Sequence, residues 1–417
     1  MENIRKILII ILITSLITFT QSCNKGKEQS ETLPFKVIQF DELIEDCIPL
    51  NDSIIISSGK SLFKVTLENE KYKKEHLLAE GLTDLIIAGT YNSRILGLNR
   101  EEDSYKLLNF YLNDKDANLK VEKEEDFNIS TDSDEILGNV NLSGDYLYFT
   151  HPSTILYSYN VREKSLKQTK MNNPILKVIG FNEIAYLCMI DEVSTLSTKI
   201  IALNSQNGNI LWNYALNPNK EELAFISDVD FGVNSDELYL MYRAIPYISG
   251  DSRGIFGIKV LDRLSGTEKS NLKHFTHFSF GKYIPGTNLF WDDENFYAEL
   301  FKDYELSAIS KKNNKCNWTY QAGSPLLYLL SISGNKALLL SENGTVNIIN
   351  TQTGEIVRSY NLTLDPTEAI VTSNLTRNKG KIVQLKDNIF VINLNLCQYE
   401  DNNPKQFSKL FFININE

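Results

Sequence analysis

From residue 34 onward the chain alternates short runs of β-branched, aromatic and aliphatic residues with clusters of Asn, Asp, Gly and Ser. Residues 53–57 (SIIIS), 62–67 (LFKVTL), 145–149 (DYLYF), 184–190 (IAYLCMI), 237–242 (ELYLMY), 336–340 (KALLL) and 388–393 (NIFVIN) show the pattern. Runs of this length, bounded by residues that tolerate turns, predict strands. No stretch keeps its apolar positions at helical spacing, and Pro and Gly fall mainly at turns, so the body is read as all-β.

The pattern repeats. Residues 202–214 (ALNSQNGNILWNY) align without a gap on 308–320 (AISKKNNKCNWTY), with weaker copies at 260–267 (VLDRLSGT) and 348–358 (IINTQTGEIVR) and a faded one at 159–166 (YNVREKSL). Gly208, Gly266, Asn314 and Gly354 mark equivalent points, and a period of about 48 carried backwards lands on turn-like stretches near Glu70 and Ala117. In these copies a strand ends in a polar turn where Gly or Asn can take a positive φ, and in two of them the returning strand carries a Trp, Trp212 and Trp318. A Trp at that place is read as a packing wedge between neighbouring units, not as a stacking surface for a ligand.

Periods of 40–50 residues with four short strands each predict a single β-propeller of eight four-stranded antiparallel blades, with seven as the alternative. The C-terminal run 409–415 (KLFFINI) is expected to close the ring against residues 35–39 (FKVIQ), because closure removes exposed edges. The wider interval between Gly208 and Gly266, holding residues 246–254, is read as a long loop.

These turns resemble the PQQ-like propeller repeat, whose pattern runs strand, Ala, x, Asp, x, x, Thr-Gly, three residues, Trp. The matching positions are Ala202, Asn204 in place of Asp, Gly208 and Trp212; then Ala308, Ser310, Asn314 and Trp318; then Thr353 and Gly354, with Arg358 where Trp is expected. The resemblance implies a propeller, commonly of eight blades. That family includes quinoprotein dehydrogenases and also non-enzymatic lipoproteins such as the propeller subunit of the outer-membrane β-barrel assembly machine.

The N-terminus reads as an address. Arg5 and Lys6 precede an apolar run shorter than the roughly 20 residues that span a bilayer, and Thr20-Gln21-Ser22-Cys23 follows. The segment resembles a bacterial lipobox, with Thr20 where Leu is usual and Gln21 where a small residue is usual. The resemblance implies a signal peptide at 1–22, a diacylated (palmitate-type) Cys23 as the new N-terminus, a polar tether over 23–33 and the propeller over 34–417. Asn24 is not the Asp of the inner-membrane retention signal known from enterobacterial lipoproteins, which implies an outer-membrane protein of the cell envelope.

Composition then removes whole classes of function. The 417 residues carry a net charge of −11, and loss of the leader leaves the mature chain near −12. With no sizeable basic stripe, nucleic acid is not an expected partner. Cys47, Cys188, Cys316 and Cys397 form no CxxC pair, so neither a zinc knuckle nor a redox pair is expected, while a disulfide among them stays open.

Candidate chemistry is sparse. The resemblance would require of a quinoprotein a vicinal Cys pair, a calcium site and a catalytic Asp, and no Cys-Cys dipeptide is present. Asp228-Val-Asp230-Phe-Gly232 has Gly at the fifth position and none at the sixth, where a calcium loop needs it, and Asp132-Ser-Asp134-Glu135 runs directly into Ile136-Leu137, so both are read as solvated turns. Of His76, His151, His274 and His277, the last two stand three apart, on opposite faces of a strand and ill-placed for one metal. Asp292-Asp293-Glu294 has no spacing that makes two carboxylates converge. Runs such as Glu101-Glu102-Asp103 are read as exposed turns.

The sequence thus predicts no enzyme, no cofactor and no metal. The expected protein is a lipid-anchored, membrane-tethered propeller that binds or scaffolds a protein or glycan partner. The rival is an envelope enzyme, a cryptic quinoprotein or glycan-directed hydrolase, assembled from loops on one face.

Overall fold

The computed structural model describes residues 35–415 apart from 69–70, 79–81, 102–103, 113–118, 128, 130–136, 191–197, 217–223, 247–252, 278–289, 300–304, 325, 333–334, 363, 366, 371–380, 387 and 401–402. The described strands form seven four-stranded antiparallel sheets and one five-membered sheet. The seven cover residues 46–78, 85–127, 138–170, 175–216, 224–277, 290–321 and 326–361 in chain order and are numbered here as blades 1 to 7. Sequence neighbours pair within each blade, from an inner strand outward to a fourth. Together with blade 8 they make an eight-bladed β-propeller.

Blade 8 joins the two ends of the chain. Phe35–Phe40 is its outermost strand, pairing with Asn403–Asn414 from Phe35 opposite Ile413 to Phe40 opposite Ser408. Ile389–Glu400 follows, and the innermost position is shared by Glu368–Ile370 and Lys381–Lys386, which gives this blade its fifth segment. The ring therefore closes through the two segments that the sequence pattern pairs. Beyond the strands, the Asn395 carboxamide grips the chain as it crosses into blade 1. It donates to Ile44 O at 3.0 Å and accepts from Ile44 N at 3.2 Å and from Ser408 Oγ at 2.6 Å.

Middle strands read as continuous apolar runs because both of their faces are buried. In Ser53–Ser57, Ile54 and Ile56 pack with Val391 and Phe412 of blade 8, whereas Ile55 packs with Leu85 and Ile95 of blade 2. The same alternation continues round the ring, so the core is a series of interblade layers with no single centre. Inner strands carry a register shift in blades 2, 3, 4, 5 and 7, between residues 87/89, 138/141, 175/177, 226/228 and 326/328. Such bulges raise local twist where strands crowd the axis.

The expected long loop at 246–254 adds no strand to the blade: Pro246 ends the strand Glu237–Pro246, Arg253–Asp262 is the next, and 247–252 lie outside the described residues. Blade 5 absorbs the wide interval by lengthening its four strands to 10 residues each.

Candidate functional site

Antiparallel order puts the turns after the first and third strands of each blade on one end of the ring and the remaining connections on the other. The first end is made of tight turns that follow one recipe. In blades 4, 5 and 7 an Asx side chain opens the third-to-outer turn and accepts two backbone N–H groups: Asn204 from Gln206 and Asn207, Asp262 from Leu264 and Ser265, Asn350 from Gln352 and Thr353. Asn160 does the same for Arg162 and Glu163, and Ser310 accepts from Lys312 N. Four residues after the opener the chain takes a positive φ, 77° at Gly208, 71° at Gly266, 58° at Asn314, 75° at Gly354 and 53° at Lys164. The repeat positions singled out in the sequence are thus the left-handed corners of these turns.

The turns also hold the ring together. Trp212 of blade 4 and Trp318 of blade 6 reach across to the next blade, where Nε1 donates to Arg263 O at 3.1 Å and to Thr351 O at 2.9 Å. Both indoles are buried against the glycine of the turn they cross. A second contact had not been read from the sequence: an acidic residue followed three positions later by Tyr, at 145/148, 183/186, 236/239 and 294/297. Each Tyr is buried and its hydroxyl meets the residue just after the turn opener of the next blade. Tyr148 Oη lies 2.7 Å from Ser205 Oγ, Arg263 Nη1 donates to Tyr186 Oη at 3.3 Å, Lys311 Nζ donates to Tyr239 Oη at 3.2 Å, and Tyr297 bonds Thr351.

Burial raises the phenol pKa of all four tyrosines. Burial also lowers that of the Lys311 amine, against the opposing pull of Asp292, Glu237 and Asp293. These groups look chemical in isolation, yet in the fold they latch blade to blade.

At the opposite end lie the starts of the inner and third strands of each blade. There, where the inner strands of blades 1, 2 and 3 begin, a cleft of about 290 Å³ opens. Its walls are Leu85, Ile86, Ile87, Leu137 and Val140, and its polar lining is Glu45, Asp46 and Asn139. Glu45 is placed by its own N–H on Ser57 O at 2.8 Å and by a side chain lying on Gly59, where a Cβ would come 2.9 Å from Glu45 Oε1. Gly59 (φ 83°) leaves room for that carboxylate, and its carbonyl receives Leu85 N at 2.7 Å. Asn139 sits in the blade 3 bulge at φ 55°, with Nδ2 donating to Thr150 Oγ1 at 3.3 Å.

The remaining sequence candidates fall elsewhere. Asp228 and Asp230 are not in a solvated turn: both lie in the inner strand Ala224–Val233, and Asp230 is buried and ion-paired with Lys177 of blade 4. Asp132, Asp134 and Glu135 lie outside the described residues, as does Cys23. Asp292 opens a tight turn, accepting from Glu294 N and Asn295 N and bonding Tyr297. His274 and His277 are on the outer strand of blade 5, His151 is buried against Tyr105, and His76 packs on Phe63. Among the described residues no three His, Cys, Asp or Glu side chains gather as a metal site, and Cys47, Cys188, Cys316 and Cys397 are free thiols.

No family model matches the chain, and no curated protein does. Solved structures do resemble it. The computationally designed protein Ika8 is 12% identical with a TM-score of 0.56, over 90% of this chain and 98% of Ika8. The dihydro-heme d1 dehydrogenase NirN is 12% identical with a TM-score of 0.51, over 76% of this chain and 66% of NirN. BamB from Moraxella catarrhalis is 16% identical with a TM-score of 0.48, over 90% of this chain and 98% of BamB. A designed protein and a dehydrogenase share this likeness, so it carries the fold and no activity.

Proposed function

We propose that the protein is a non-catalytic binding module of the bacterial cell envelope, tethered to the outer membrane by a lipidated Cys23, which holds a protein or glycan partner on the end of the ring that bears the cleft. The cleft is the observation that carries this reading. On the other end the tyrosines, Arg263, Lys311 and Asp292 are engaged between and within blades, and the turns are closed on themselves. The cleft instead combines apolar walls with a few fixed polar groups, the composition of a recognition site. The order of basic residues, apolar run, Ser22 and Cys23 supports the anchor.

Crosslinked capture from native envelope tests the binding half, using Val140→Trp to fill the cleft and Leu264→Arg on the tight-turn end as control. A partner retained by the control and lost from Val140→Trp supports the reading, and one retained equally by both refutes it. For the anchor, Cys23→Ala or globomycin should release the protein from the membrane fraction. Unchanged fractionation would overturn it.

A further inference from the structure

We infer that the rim of the ring where blade 8 meets blade 1 is the side that rests on the membrane, with its lysines among the phosphates of anionic phospholipid headgroups. The inference rests on the lipid anchor of the proposed function and adds to it the orientation of the ring on the bilayer.

The chain itself favours this side. Cys23 and Phe35 are twelve residues apart, so at about 3.3–3.6 Å per residue Phe35 stands no more than about 40 Å from the anchored residue. Phe35–Phe40 is the outermost strand of blade 8, and the outermost strand of blade 1, Lys71–Leu78, lies beside it. A tether that enters there holds this seam closer to the bilayer, on average, than blades 4 and 5 across the ring.

Charge picks out the same seam. The two strands carry Lys36, Lys71, Lys73 and Lys74 against Glu75 alone, a net +3 in a chain of −11, and no other two neighbouring outer strands are as basic. The next outer strand, Leu119–Phe127, reverses the sign, with Glu122, Glu124, Glu125 and Asp126 against Lys120 and Lys123. The Debye length at physiological salt is about 8 Å, so only the surface apposed to the headgroups feels them. An acidic chain is drawn to an anionic bilayer only through a surface where its own charge reverses, and among the outer strands this seam is the strongest such surface.

Side-chain placement keeps two of the lysines available. Lys36 and Lys74 are exposed, and among the described residues neither has a carboxylate in ion-pair reach, whereas Lys64 and Lys73 share Glu75. They stand on a floor of rings: Tyr72 is stacked on Phe412 with centroids 3.7 Å apart, and Phe40 meets Phe63 at 5.2 Å. Lys74 Nζ lies 3.9 Å from the Phe40 centroid and 4.8 Å from that of Phe63, and Lys36 Nζ lies 5.7 Å from that of Tyr72. A ring attracts an ammonium without taking up its three N–H donors, which are left for solvent or for phosphate oxygens. Resting on this rim, the propeller leaves both ends of the ring open to a partner.

The test uses the full chain purified from the envelope and reconstituted into vesicles of phosphatidylcholine alone or of a two-to-one mixture with phosphatidylglycerol. An amine-acetylating reagent is added and each lysine is followed by mass spectrometry. Lys36, Lys73 and Lys74 should acetylate at least fivefold more slowly on the anionic vesicles, with Lys167 of blade 3 and Lys269 of blade 5 unchanged, and high salt should remove the difference. Equal rates for Lys36 and Lys74 on the two vesicles overturn the inference without depending on any variant, and so does equal slowing of all five lysines. Lys36→Gln combined with Lys74→Gln should return Lys73 to its rate on phosphatidylcholine, and a Lys73 that stays slow also overturns the inference. If Cys23→Ala leaves the membrane fraction unchanged while Lys36 and Lys74 are slowed, the anchor is wrong and the headgroup contact stands. If Cys23→Ala releases the protein while the two lysines react equally on both vesicles, the anchor stands and this orientation is wrong.

Discussion

The indole of Trp318 lies on Gly354 of the following blade, so closely that a Cβ on that glycine would come 2.6 Å from Trp318 Cε3. Trp212 and Gly266 repeat the contact two blades earlier, again at 2.6 Å. A turn glycine therefore serves two purposes, a left-handed corner and a flat seat for the neighbour's ring.

That double duty sets an order of mutational cost. Gly354→Ala and Gly266→Ala meet both a positive φ and a rigid ring, each worth about 1–3 kcal/mol. Gly208→Ala has the same φ problem, but its new Cβ faces Lys167 Cε and Thr169 Oγ1 at 3.0 Å, and a lysine chain can move aside. Thermal unfolding should therefore show Gly354→Ala and Gly266→Ala melting well below Gly208→Ala. Equal melting points for the three would show that the indole contact carries no weight.

The tyrosine latch calls for a double-mutant cycle. Tyr148→Phe removes the hydroxyl that lies 2.7 Å from Ser205 Oγ, and Ser205→Ala removes its partner. Each single change leaves a buried group unsatisfied and should cost about 1–3 kcal/mol. The double variant should cost less than the two singles together by about 1 kcal/mol or more, because neither orphan remains. Strict additivity in urea unfolding would mean that the two hydroxyls do not bond.

Alkaline pH should loosen the ring from the same residues. Burial raises the pKa of Tyr148, Tyr239 and Tyr297 above the usual 10.0. In the folded ring these phenols hold their protons while the unfolded chain, titrating near 10, gives them up first. Their contribution is fully present below pH 10 and is lost as pH rises from there toward the folded-state values. Urea midpoints should fall between about pH 9 and about pH 11, and Tyr148→Phe should start lower but decline less steeply. A midpoint that is flat over that range would contradict the burial of these groups.

How far the pattern could be read depended on distance along the chain. The turns at Gly208, Gly266, Asn314 and Gly354 were legible because opener and corner lie four residues apart and recur, with a Trp four residues further on in two of them. Closure of residues 35–39 on 409–415 was legible too, since a strong terminal strand needs a partner. The tyrosines were hidden because a Tyr in an apolar strand looks like core, and its hydroxyl partner lies 54 to 77 residues away in the next blade. Asp230 was misplaced for the same reason: acid spacing suggested a turn, whereas its Lys177 partner lies 53 residues earlier on another inner strand. The cleft is assembled from the starts of three separate inner strands, so no local signal announces it.

Ring closure offers the sharpest remaining test, because one side chain grips the chain where it crosses from blade 8 into blade 1. Asn395 holds Ile44 through both its N–H and its carbonyl, and Ser408 Oγ also accepts Ile44 N at 2.8 Å. Asn395→Leu keeps the bulk but strips the Ile44 carbonyl and the Ser408 hydroxyl of their partner in a buried setting, a cost of about 2–4 kcal/mol. The damage should be local. Phe35–Phe40 is an outer strand bonded on one side only, so once the crossing at Ile44 is freed, that strand and the start of blade 1 should open more often than the rest of the ring. Amide exchange should accelerate over residues 35–48 while Leu338–Leu340, in the middle of blade 7, keeps its protection. Uniform acceleration across both regions would show instead that the ring opens only as a whole.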